Sequence, residues 1–117
     1  MALQHASYLE IIDLAAPAPI GSTSSSSSLL RTGHLQILRL VLPQGASLPT
    51  HHLAGESTIQ CLSGDVNLVA SQGEYRLKAG QLIALAAGEA NSVQAREASV
   101  LLVTLLRVQG AGAPGPG

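Results

Sequence analysis

Between Leu29 and Val108 the chain alternates short β-rich runs with closely spaced turns, and no stretch carries the period of an amphipathic helix. The runs are HLQILRLVL (34–42), STIQCL (57–62), VNLVA (66–70), YRL (75–77), QLIAL (81–85), NSVQA (91–95) and VLLVTLLRV (100–108). Most are separated by glycine-bearing turns such as SGDV (63–66) and SQGE (71–74), where glycine tolerates the positive φ of a tight hairpin. The pattern predicts one all-β domain with antiparallel strands, a sandwich or a barrel.

The flanks differ in kind. SYLEIIDL (7–14) is expected to form a short edge strand, and APAPIGSTSSSSS (16–28) has too little apolar surface to repay its ordering entropy. Residues 1–28 are therefore an N-terminal strand plus a Ser-rich linker, 29–108 the barrel, and 109–117 a flexible Gly/Pro tail. The faint likeness of LAAPAPIGS to a secretion cleavage site is rejected, because no basic segment precedes it and Glu10 and Asp13 interrupt the apolar run.

Composition removes several function classes. There is no Phe or Trp and only Tyr8 and Tyr75, so the core must be aliphatic and base-stacking platforms are missing. A net charge of -1 with no Lys/Arg cluster argues against nucleic-acid or anionic-membrane partners, and no uncharged run is long enough to span a bilayer. The lone Cys61 allows no internal disulfide and fits the reducing cytoplasm. The nearly continuous apolar run VLLVTLL suits a strand buried on both faces, one of them against a second copy in a homodimer.

Within the body, GASLPTHHLAGESTIQCLSG (45–64) followed by GQLIALAAGEAN (80–91) resembles the two motifs of the cupin superfamily, most closely the small single-domain, RmlC-like type. The resemblance covers about residues 35–106 and implies a double-stranded β-helix, a jelly-roll barrel. In that family three His and one Glu hold a divalent metal inside the barrel. The glycine frame is kept: Gly45 stands six before His51, Gly80 eight before Gly88, and Asn91 three beyond that. In this frame the ligand positions carry His51, Leu53, Ser57 and Asn91.

A register shifted by one would instead use His52 and Glu56, at the expense of both glycine spacings. Neighbouring strand residues face opposite ways, so His51 and His52 cannot both reach one interior metal without a bulge. Parity continued from an inward His51 puts Ser57, Ile59 and Cys61 inside; the shifted register puts Glu56, Thr58, Gln60 and Leu62 there. The more apolar first set is favoured.

Candidate ligand-binding residues are His51, Asn91, Arg39 and Cys61, and candidate metal ligands are His51, His52 and Glu56. Asn91 can donate and accept, which suits orienting a polar ligand. Arg39 alternates with Leu35, Ile37 and Val41, which leaves open a cavity position facing an anion. Cys61 is either a buried apolar thiol or a soft ligand.

The leading expectation is a small cupin barrel that binds a small molecule without a complete metal centre. The alternative is a metal-dependent oxygenase, isomerase or decarboxylase acting on a small organic substrate. The cofactor is accordingly none or a single divalent transition metal.

Overall fold

The computed structural model describes residues 5–15, 23–51 and 53–108, the side chains of Pro49 and His51 excepted. Among these residues are nine strands and no helix: β1 (Ser25–Arg31), β2 (Leu35–Leu42), β3 (Ser47–His51), β4 (Ser57–Ser63), β5 (Asp65–Ala70), β6 (Gly73–Lys78), β7 (Leu82–Leu85), β8 (Asn91–Ala95) and β9 (Ser99–Leu106). They form two antiparallel sheets, β1-β2-β9-β4-β7 and β3-β8-β5-β6. Every β-rich run picked out of the sequence from residue 34 onward contributes a strand.

The N-terminal flank departs from expectation. SYLEIIDL forms no strand, and β1 begins at Ser25, inside the stretch that reads as linker. Ser25–Ser28 are held by pairing with Leu38–Val41 of β2, so an available sheet edge overrides the weak β-propensity of serine. Residues 16–22 of that stretch and the tail, 109–117, lie outside the described residues.

Alternation along each strand sends one set of side chains between the sheets. Leu42, Ile59, Cys61, Val66, Leu68, Leu77, Leu85, Val93, Ala95, Leu101 and Val103 form one buried cluster, with Leu38, Leu40, Leu48 and Leu105 packed against it. The core is aliphatic, and fully burying a leucine such as Leu42, Leu68 or Leu101 contributes about 1.5–3 kcal/mol. In β4 the buried positions are Ser57, Ile59 and Cys61, the set that the glycine frame predicts.

One end is closed by tight contacts. Gly64 has φ +94°, and a Cβ there would lie 2.2 Å from Ser99 Oγ and 2.5 Å from the Ala98 carbonyl oxygen. Ser99 Oγ accepts from the Asp65 N–H at 3.0 Å and donates to the Glu97 carbonyl at 2.8 Å. The Asp65 carboxylate accepts three hydrogen bonds from the Arg76 guanidinium, at 2.6–3.1 Å. Those bonds hold its carboxyl below the usual range against the opposing effect of burial.

Candidate functional site

The opposite end is built by the loops joining the sheets. His51 ends β3 and Ser57 begins β4, while Leu85 ends β7 and Asn91 begins β8. These two loops carry the paired sequence motifs, and the Gly88 N–H donates to the Leu53 carbonyl at 2.8 Å, tying one to the other. The first loop is also fixed to the end of β9, where the Leu106 N–H donates to the Glu56 carbonyl at 3.0 Å. Gly55 permits this approach, since a Cβ there would lie 2.4 Å from the Leu106 carbonyl oxygen. The β5–β6 turn is fastened in the same way: the Ser71 N–H donates to Glu89 Oε2 at 2.9 Å. Hydrogen bonds from the Ser71 side chain and backbone hold the Glu89 carboxyl below its ordinary value.

Register defines what this end presents. One sheet contributes the row Gln36, Leu105, Ser57 and Leu85. The other contributes the row of backbone positions His51, Asn91, Ala70 and Gly73. One layer deeper the pairings bring together Leu38, Val103, Ile59 and Ile83 in the first sheet, and Leu48, Val93, Leu68 and Tyr75 in the second. The outer row thus mixes polar with apolar groups, and the layer beneath is apolar except for Tyr75.

Asn91 is the telling member of that row. It is only 2% exposed. Its Nδ2 donates to the Glu89 carbonyl at 3.3 Å, whereas its Oδ1, equally buried, meets no hydrogen-bond donor among the described residues. A flipped amide would set oxygen against oxygen, so the bond to Glu89 fixes which end is unsatisfied. A buried acceptor left without a donor costs about 1–3 kcal/mol.

Among the described residues a cleft of about 480 Å³ opens past Ser57, Leu85, Ala86 and Leu106, and two more border this end. One, of about 530 Å³, is lined by Gln36, Leu53, Ala54, Gly55, Leu105, Leu106, Arg107 and Val108. The other, of about 250 Å³, runs past Ala70, Ser71, Tyr75, Ile83, Leu85 and Glu89.

No protein-family model and no curated protein matches the sequence. Solved structures do match. A cupin superfamily protein from Desulfitobacterium hafniense superposes with a TM-score of 0.76 at 15% identity, covering 92% of this chain and 100% of that one. An RmlC-like cupin from Shewanella frigidimarina gives 0.72 at 13%, over 94% and 99%. This chain has the cupin fold. A conserved protein of unknown function from Streptococcus pyogenes is similar to it at 22% identity, with a TM-score of 0.75 and coverage of 93% and 96%.

In the cupin frame the expected site residues are dispersed. Asn91 and Ser57 are buried in the row at the open end, and the His51 backbone pairs directly opposite Asn91 across a register shift in β3. His52 lies outside the described residues. Glu56 is exposed, one residue ahead of the first inward position of β4, so its side chain does not join the interior row.

Cys61 is fully buried two inward positions below Ser57, where its thiol donates to the Ser63 carbonyl. Burial first, then the nearby Asp65 carboxylate, raises its pKa and favours the protonated thiol. Arg39 does not face the cavity. Leu38, Leu40 and Leu42 take the core side of β2, so Arg39 shares the outer face with Val41, opposite Leu102.

Gln36 is the mouth residue that sequence reasoning passed over. Among the described residues no three His, Cys, Asp or Glu side chains gather to hold a metal ion. With Leu53, Ser57 and Asn91 at three ligand positions, the described donors do not fit a cupin metal. No helix among the described residues is long and apolar enough to cross a membrane.

Proposed function

We propose that this cupin barrel is a binding or regulatory module that takes a small molecule at its open end without a complete metal centre. The observation carrying the reading is the row at the mouth, where Ser57 and Asn91 occupy buried positions that the family gives to metal ligands, above an apolar floor. Neutral hydroxyl and amide groups orient a polar ligand well and bind transition metals weakly. A few convergent polar groups over apolar walls are the usual make-up of a small-molecule pocket.

The module works as a homodimer in this account. The outward face of the five-stranded sheet carries Ile37, Val41, Val100, Leu102 and Leu82, whereas the outward face of the other sheet carries Asp65, Asn67, Arg76 and Lys78. Two copies that join their apolar faces leave the charged faces in water. A reducing cytoplasm suits the free Cys61.

Elemental analysis of dialysed protein tests the central part of this reading. Transition metal well below one equivalent per chain supports it, and one tightly held equivalent overturns it.

A further inference from the structure

The polar groups at the mouth restrict the chemistry of what can enter, an inference that rests on the binding reading above. Asn91 is the buried amide whose acceptor meets no donor among the described residues, and its donor is already committed to the Glu89 carbonyl. The demand of this amide is therefore one-sided: a ligand that meets it brings a hydrogen to Oδ1. Ser57, 6% exposed in the facing row, can donate or accept, so it adapts to whichever group comes with that donor.

Charge narrows the class further. The buried polar and charged residues of the described chain are Ser57, Asp65, Asn91 and Ser99. Asp65 and Ser99 belong to the closed end, where Asp65 is paired with Arg76. The two at the mouth, among the described side chains, are both neutral. An ammonium, carboxylate or phosphate drawn into this row would lose its hydration with no counter-charge among the described buried side chains there, a loss that a single neutral hydrogen bond does not repay.

We infer that the open end selects small uncharged molecules bearing a hydroxyl or amide N–H donor, which is given to Asn91 Oδ1, and rejects carboxylates, phosphates and amines. The apolar layer of Val93, Leu68, Ile59 and Val103 lies beneath the row as its floor.

The test is an NMR titration of the full chain, following backbone amides and the Asn91 side-chain amide with matched probes. Erythritol and propionamide represent the neutral class, propionate and inorganic phosphate the anions, and propylamine the cations. The expected result is saturable shifts at Asn91, Ser57 and their neighbours for a neutral probe. Affinity for that probe should fall at least tenfold in Asn91→Leu, and the charged probes should give no saturable shifts there.

Asn91→Ser, which keeps a neutral acceptor, should recover part of the affinity, and thermal melts of both variants confirm that they are folded. Saturable binding of a charged probe at the mouth, or neutral binding unaffected by Asn91→Leu, overturns the inference and leaves the binding reading standing. No saturable shift from any class overturns both.

Discussion

Replacing Gly64 by alanine should destabilise the fold well beyond the cost of its backbone conformation alone. At φ +94° an L-residue incurs about 1–2 kcal/mol of left-handed strain. The new methyl would also sit 2.2 Å from Ser99 Oγ, and that hydroxyl is the acceptor for the Asp65 N–H. Displacing it strands a donor at a residue only 5% exposed, which costs about a further 1–3 kcal/mol.

The total of roughly 2–5 kcal/mol is a large part of the 5–15 kcal/mol by which domains are usually stable. Gly45 is an internal control: its φ is +82°, and a Cβ there meets nothing within 4 Å. Gly45→Ala should cost only the strain, so the two variants should differ by about 1–3 kcal/mol.

Urea unfolding followed by far-UV circular dichroism measures both, provided the m-values agree. Adding Ser99→Ala to Gly64→Ala should cost less than the sum of the single changes, because the smaller side chain relieves the overlap. Equal losses for Gly64→Ala and Gly45→Ala, or full additivity with Ser99→Ala, would refute the close-contact reasoning.

Three other outcomes follow from the same structure. Because Arg76 lowers the Asp65 pKa in the folded state, the pair stabilises the fold above the ordinary aspartate value, and the contribution is lost as pH falls through the folded value. The stability gap between native protein and Arg76→Met should therefore be full at neutral pH and shrink below about pH 4; a gap constant down to pH 2 contradicts it. Cys61, buried and with its pKa raised, should react with a thiol-specific disulfide reagent only at the rate of opening or unfolding, and labelling as fast as a free thiol contradicts its placement. Leu82→Lys with Leu106→Lys, two apolar residues 55% and 48% exposed, should leave strand content intact and yield a monomer by light scattering, whereas an unchanged dimer would move the interface elsewhere.

The β-strands from residue 34 onward were legible because each pairs an apolar run with a turn-forming glycine, a signal that is local. Gly45, Gly80 and Gly88, singled out by motif spacing, do adopt positive φ. Parity was legible for β4, since Ser57, Ile59 and Cys61 follow one another at the strand period. It failed for β2, where both faces are apolar and alternation could not tell the side of Arg39 from that of Leu38.

β1 was hidden because its serines are ordered by the neighbouring strand and not by their own propensity. SYLEIIDL misled in the opposite direction, since its apolar residues find no sheet partner and Leu9 and Ile11 stand exposed. The Asp65–Arg76 pair and the place of Gln36 depend on register between strands, and composition and spacing carry no record of that.

The most direct test of the site is a cobalt(II) titration that compares the native chain with a variant carrying Leu53→His, Ser57→Glu and Asn91→His, the full cupin ligand set in the glycine frame. Four-coordinate cobalt bound by imidazole and carboxylate gives intense visible bands, so occupancy is read directly. The account expects saturation at about one equivalent per chain in the variant, with His51 as the fourth ligand, and no such bands in the native protein. Saturation of the native chain at one equivalent would contradict it.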